Sequence, residues 1–135
     1  MILTTDDRLA IQELYAKYNF AIDDGKPEEF ADCFTADGVL DVGYGDPTTG
    51  TEALTAFCAA TNQMMPGMRH QVTNLVLHGH GDDATGRAYL YTYRATAEGH
   101  QVILTGRYED TLRRDEGIWR FAARTMVPDT PPPAE

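Results

Sequence analysis

The chain has few basic residues and no long apolar run, and each shortage excludes a class of protein. Lys and Arg total 11 against 21 Asp and Glu, so the net charge is −10 at pH 7. A nucleic-acid backbone or an anionic membrane would repel such a chain. No apolar stretch could span a bilayer, and the opening MILTTDDRL lacks the basic-then-apolar order of a signal peptide. We therefore expect a cytoplasmic protein that binds neither nucleic acid nor membranes.

Common metal, cofactor and nucleophile motifs are also absent. The sequence contains no CxxC, HExxH or EF-hand loop, no GxGxxG or phosphate loop, and no GxSxG. Its cysteines, Cys33 and Cys58, lie among apolar residues of helical spacing, where buried thiols are commoner than a disulfide. We predict buried free thiols, no metal site and no cofactor.

What is present begins with an amphipathic helix over Ala10–Asp24. Apolar residues recur there at helical spacing: Ile11, Leu14, Tyr15, Tyr18 and Ile22. Thr4 is predicted to cap its start, and Gly25 to end it in a left-handed conformation. Asp23 then falls in the last turn, where the negative end of the helix dipole opposes ionisation of a half-buried carboxylate. A solvated acid is the commoner case, so Asp23 becomes a candidate only with a partner.

Two further helices are predicted before the chain turns to strands. One runs from Pro27 to a turn at Asp37-Gly38, with Phe30, Cys33 and Phe34 on its inner face. The other is capped by Thr51 and continues to about Thr61.

The strands are predicted to form an antiparallel sheet after the helices, an α+β order. A short strand covers Val39–Tyr44, between the second and third helices. A meander then follows over Arg69–His78, Thr85–Ala97, Val102–Arg113 and Ile118–Val127. Residues 1–127 are thus predicted to form one domain, and the Pro-rich residues 128–135 a disordered tail that cannot pair in a sheet. A strongly curved sheet around the helices would enclose a small-molecule pocket.

Several polar residues are candidates to face that pocket. By alternation, His70 and Asn74 share one face of their strand with Val72, Val76 and His78. A carboxylate such as that of Asp23 would fix the tautomer of His70 and strengthen it as a base. Candidate substrate contacts are Tyr18, Tyr44, Asn74 and Arg124. For each of these residues a structural role is the commoner alternative, and sequence alone cannot bring positions 23 and 70 together.

Several sequence segments resemble those of the SnoaL-like branch of the nuclear-transport-factor-2-like superfamily. They are AIQELYAKYNFAIDDG, FADCFTADGVLDV, RHQVTNLVL and GRYEDTLRRDEGIWRFAAR, and they cover most of residues 9–125 in the expected order. The branch includes polyketide cyclases and is related to scytalone dehydratase, ketosteroid isomerase and hexachlorocyclohexane dehydrochlorinase. The resemblance implies a cone-shaped α+β barrel, with three N-terminal helices packed on a strongly curved, mainly antiparallel sheet that encloses a pocket. It also implies a homodimer or homotrimer.

The resemblance carries a catalytic role to two positions. Asp23 matches the helix-end aspartate, and His70 the histidine that opens the first long strand, of the dehydratase and dehydrochlorinase members, where they form a dyad. The chain departs from scytalone dehydratase at Ile22 and Val42, which stand in place of two tyrosines. Tyr18 stands where the dehydrochlorinase has a lysine.

The expectation is therefore a cofactor-free lyase, dehydratase-like, or a cyclase or isomerase. Its substrate would be a small, largely apolar metabolite such as a polyketide or an aromatic compound. The alternative is a non-catalytic ligand-binding or assembly module, similar to the small subunits of ring-hydroxylating dioxygenases.

Overall fold

A computed structural model describes residues 2–130. Within that range the chain forms three helices and six strands. They are α1 (Thr5–Asp24), α2 (Pro27–Asp32), β1 (Phe34–Asp41), β2 (Thr48–Thr49), α3 (Thr51–Met64), β3 (Met68–His80), β4 (Asp83–Thr96), β5 (Gly99–Asp115) and β6 (Ile118–Pro128). None of these helices is long and apolar enough to cross a membrane.

The strands form one curved sheet in the order β2-β1-β6-β5-β4-β3. Strands β3 to β6 are successive antiparallel neighbours, which confirms the predicted meander. Strand β1 lies parallel to β6, and β2 adds a short antiparallel edge. The α+β class is confirmed, with the helices packed on a sheet that is curved but not closed into a complete barrel.

Helix α1 forms for the reasons visible in its sequence. The Thr4 hydroxyl accepts a hydrogen bond from the Asp7 backbone N–H, and the Asp7 carboxylate accepts one from the Thr4 N–H, each at 3.0 Å. Gly25 ends the helix in a left-handed conformation with φ of 66°. The predicted apolar stripe is buried and packs into the core of the domain. Both predicted caps are therefore confirmed.

The second helix is shorter than predicted. It ends at Asp32, and Phe34 opens β1, where it pairs with Phe121 of β6. The Phe121 backbone N–H also donates to the Cys33 carbonyl at 2.8 Å. The spacing of Phe30, Cys33 and Phe34 suits a helix, but hydrogen bonding to a distant strand is satisfied only if the chain extends there.

The predicted bounds of α3 and β6 also need correction. Gly50, not Thr51, is the N-cap of α3, without a side-chain hydrogen bond, and the helix continues to Met64. Strand β6 includes Pro128, opposite Gly106, where a Cβ atom would come within 2.5 Å of the Val127 carbonyl oxygen. The absence of a side chain at Gly106 thus admits the close approach of β6.

The predicted tail therefore begins too early at residue 128. The Asp129 N–H donates to the Thr105 carbonyl at 2.9 Å, and its carboxylate accepts from the Thr105 hydroxyl at 2.8 Å. Residues 131–135 of that tail lie outside the described residues.

Candidate active site

The last turn of α1 places a carboxylate against the first residues of β3. Oδ1 of Asp23 lies 2.6 Å from Nδ1 of His70, and Oδ2 accepts the His70 backbone N–H at 2.9 Å. The two side chains are only 7% and 8% exposed, respectively. Because both carboxylate oxygens bind the same residue, the contact fixes the imidazole and the strand relative to the helix. The structure thus brings together the pair that sequence alone could not.

A residue of α3 completes the end of α1. Nδ2 of Asn62 donates to the backbone carbonyl of Asp23 at 3.1 Å and lies 3.4 Å from that of Ile22. The last carbonyls of a helix have no partner within the helix, so an external donor satisfies them. Sequence reasoning missed Asn62. The available signal was its position one helical turn after Cys58 on the inner face of α3.

His70 lines a cavity of about 530 Å³ between the helices and the concave face of the sheet. Most of its wall is apolar: Ile22, Leu40, Val42, Phe57, Ala60, Met64, Met65, Met68, Leu90, Ile103, Leu104 and Met126. The polar lining side chains are His70, Thr61, Tyr18, Tyr44 and Tyr108. Among the described residues that line it, none is Asp, Glu, Lys or Arg. The size and apolar lining suit a small organic molecule.

Three phenols of the cavity occupy different depths. Tyr18 and Tyr108 are each 2% exposed, whereas Tyr44 is 61% exposed. Burial raises the pKa of Tyr18 and of Tyr108, so both remain protonated and can act as donors. Tyr18 and Tyr44 therefore line the cavity, and their role as substrate contacts stays a prediction. Tyr108 was missed, although alternation along β5 places it on the buried face.

Arg124 does not reach the cavity, so its prediction as a substrate contact is corrected. Its Nε and Nη2 atoms each bind the Asp110 carboxylate at 2.9 Å, and the Tyr15 hydroxyl donates to the same carboxylate. The guanidinium lies 3.5 Å from the ring centre of Tyr108 and 4.4 Å from that of Tyr18. Burial acts to lower the pKa of Arg124, but the Asp110 carboxylate outweighs it and raises the pKa. Arg124 therefore packs behind Tyr18 and Tyr108, on the side of their rings away from the cavity.

Asn74 is also misplaced by the alternation argument. Its φ of 60° marks a β-bulge between Thr73 and Val76, which adds a residue to β3 and reverses the alternation. Val72 packs inward before the bulge and Leu75 after it, so Asn74 is exposed, outside the cavity of His70. A bulge has no reliable signal in this sequence, because no glycine marks it.

The arrangement is suited to proton transfer. A hydrogen bond from Nδ1–H to Asp23 leaves Nε2 of His70 with a free lone pair, the form in which imidazole accepts a proton. Within residues 2–130, no three His, Cys, Asp or Glu side chains are grouped so that they could hold a metal ion.

Known proteins share this fold and sequence pattern. The family model for the SnoaL-like domain matches residues 4–125. Rv3472 of Mycobacterium tuberculosis, of unknown function, is 34% identical with a TM-score of 0.86, over 92% of this chain and 72% of that one. A candidate aromatic ring hydroxylase of Novosphingobium aromaticivorans is 33% identical with a TM-score of 0.79, over 96% of this chain and 93% of that one.

A candidate scytalone dehydratase of Novosphingobium aromaticivorans has the same fold. It is 23% identical with a TM-score of 0.80, over 94% of this chain and 89% of that one. Among curated proteins, none matches the chain. The family match and the shared cystatin-like and nuclear-transport-factor-2-like fold agree. The chain therefore belongs to the SnoaL-like domain family of the nuclear-transport-factor-2-like superfamily.

Proposed function

We propose that the protein is a cofactor-free lyase, dehydratase-like, or a cyclase or isomerase, with Asp23 and His70 as its general-base dyad. The observation that carries this proposal is the 2.6 Å contact between Asp23 and His70, whose imidazole lines an apolar cavity. An apolar cavity lined by a few polar groups is typical of small-molecule sites. The family match supports the proposal, because polyketide cyclases belong to this branch.

The reaction begins with proton abstraction by His70. Nε2 takes a proton from a carbon α to a carbonyl, and the electron pair of the C–H bond forms an enolate. Asp23 stabilises the resulting imidazolium. General-base catalysis of this kind contributes a factor of about 10² to 10⁴ in rate. In an elimination, the enolate then expels a β-hydroxyl, which takes the proton back from Nε2 of the His70 imidazolium and leaves as water, so that His70 returns to its neutral form. Elimination is our first choice, and ring closure by attack of the enolate on a second carbonyl is the second.

The cavity favours a neutral substrate. A carboxylate or phosphate placed there would be desolvated without a cationic partner, which is costly, since no Lys or Arg lines the described wall. Tyr18 and Tyr108 supply the donors for a carbonyl oxygen, because buried phenols with raised pKa values stay protonated. A polyketide or an aromatic ketone has this combination of an apolar body and a polarisable oxygen.

The test is turnover of a panel of neutral aromatic and polyketide-like ketones by wild type, His70→Ala and Asp23→Asn. We expect each substitution to lower kcat by about 10² to 10⁴. His78→Ala is the matched control, because His78 lies on the same strand but is exposed. Full turnover by His70→Ala would contradict the mechanism.

The alternative is a non-catalytic module of a larger assembly. The 33% identity to a candidate aromatic ring hydroxylase supports it. Ligand binding without turnover, together with a large subunit that co-purifies at fixed stoichiometry, would favour this alternative. A homodimer or homotrimer that turns over a ketone would exclude it.

A further inference from the structure

We infer that Asn62 is a positioning residue, through which α3 holds the Asp23 carboxylate in the orientation that His70 requires. This inference rests on the proposed function, because it concerns how the same dyad is assembled. Asn62 contacts the backbone of the residue whose side chain binds His70: Nδ2 donates to the Asp23 carbonyl at 3.1 Å. It touches neither the imidazole nor the proposed substrate position, so its effect on the reaction passes through Asp23.

Helix α3 supplies donors to three consecutive carbonyls of α1. Sγ of Cys58 lies 3.7 Å from the Ala21 carbonyl oxygen, and Nδ2 of Asn62 contacts those of Ile22 and Asp23. Cys58 and Asn62 are one helical turn apart, so they present their donors along one line. The final turn of α1 is thereby fixed to α3 and not left to fray.

The amide of Asn62 also affects the electrostatics at the end of α1. The carbonyls at a helix C-terminus carry partial negative charge, which disfavours an anion in that turn. Asp23 is such an anion, and its side chain is almost fully buried. A donor on these carbonyls withdraws part of their negative charge, which reduces the repulsion between the helix end and the Asp23 carboxylate.

Gly25 leaves the space that Asn62 occupies. A Cβ atom on Gly25 would lie 2.8 Å from Oδ1 of Asn62, which is closer than real Cβ contacts. The glycine that ends α1 and the asparagine that bonds its carbonyls thus fit each other. Helix α3 presents Phe57 and Thr61 to the cavity, so one helix both forms the substrate wall and orients the base.

The first test is an NMR measurement that needs no substrate. The backbone amide proton of His70 reports on Asp23, because it donates to Oδ2 at 2.9 Å. We expect Asn62→Leu and Asn62→Asp to move this resonance in the direction seen for Asp23→Asn. Gln63→Leu, on the exposed side of the same helix, leaves it in place. An unchanged His70 amide in both Asn62 variants, with folding intact by urea denaturation, would overturn the inference.

The second test separates positioning from general stability. The assay uses a ketone that the wild-type protein converts. We expect Asn62→Leu to lower kcat by up to about 100-fold while KM changes little, because displacement of a catalytic group lowers the reaction rate more than the substrate affinity. Equal kcat in Asn62→Leu and Gln63→Leu would also contradict the inference. If His70→Ala retains activity, the proposed function fails, and the amide measurement still decides whether Asn62 orients Asp23.

Discussion

At the scale of single residues, Arg124 places a guanidinium in the interior of the protein. It and the Asp110 carboxylate are both fully enclosed and bind each other through two hydrogen bonds. Such a pair is stable only as a pair, since either charge alone would remain in the core without compensation.

We predict that Arg124→Met lowers the free energy of unfolding by about 3–5 kcal/mol, because it leaves the buried Asp110 carboxylate without its cationic partner. Urea denaturation measures the loss. Arg107→Met, at an exposed position of β5, is the control and should change stability by at most about 0.5 kcal/mol. Similar losses in the two variants would show that Asp110 finds another partner.

Sequence reasoning succeeded at residues whose signal is local and failed where a contact is distant. Asp23 was placed by the helix and its glycine, but only the family resemblance joined it to His70. The position of the Arg124 side chain depends on the strand register that pairs it with Asp110, and no local sequence pattern predicts that register. Asn62 was overlooked because an asparagine late in a helix is ordinary in isolation.

At the scale of elements, the end of α1 is held against α3 by Asn62 and Gly25. Gly25 combines a left-handed backbone with contact against α3, whereas Gly81 has nearly the same φ, 65°, in open space. The two glycines therefore separate the cost of the backbone from the cost of the contact.

We predict that Gly25→Ala destabilises the protein more than Gly81→Ala. Both place an L-residue in the left-handed region, at a cost of about 1–2 kcal/mol, but only the first displaces Asn62. Urea denaturation of both variants gives the comparison, and kcat of Gly25→Ala should fall as well. Equal unfolding free energies would mean that Asn62 moves aside freely.

Elements were predicted best where they carry their own end signals. Helix α1 has both caps in its sequence, and the turns of the meander are marked by glycine and acidic residues. Strand β1 was misjudged because its extended form depends on pairing with β6. The faces of β3 were misjudged only from the bulge at Asn74 onward. Both errors reflect tertiary contacts that override local periodicity.

At the scale of the whole molecule, acid should unfold the protein partly through Asp7. The Thr4 N–H, the Trp119 indole and Arg114 together hold the pKa of Asp7 below its ordinary value of 3.8. A lowered folded-state pKa contributes stability at pH values above 3.8, and this contribution is lost as pH falls through the folded-state value.

We predict that Asp7→Asn flattens the decline of stability below pH 3.8 and lowers stability at neutral pH. Thermal unfolding followed across acidic and neutral pH measures both effects. Asp46→Asn, in the exposed loop before β2, is the control and should change stability at neutral pH by at most about 0.5 kcal/mol. If stability falls as steeply with decreasing pH in Asp7→Asn as in the wild type, this carboxylate is not a source of the acid sensitivity.

We also predict that the native protein resists thiol reagents at neutral pH. Burial raises the pKa of Cys33 to about 12 and that of Cys58 to about 11, so little reactive thiolate exists. A chromogenic disulfide reagent should detect no fast-reacting thiol in the native state and both cysteines after denaturation. Rapid labelling of the folded protein would show that one thiol becomes accessible.

The parallel pairing of β1 with β6 has a consequence for how the chain reaches this state. The hairpins from β3 to β6 join neighbours in sequence, so each can close soon after it is made. Strand β1 must wait for the last strand, because β6 lies between it and the rest of the sheet. Contacts between such distant segments slow folding through the entropy of loop closure. During synthesis, α1 and β1 leave the ribosome with their apolar faces uncovered, and they are sheltered only once β6 has followed.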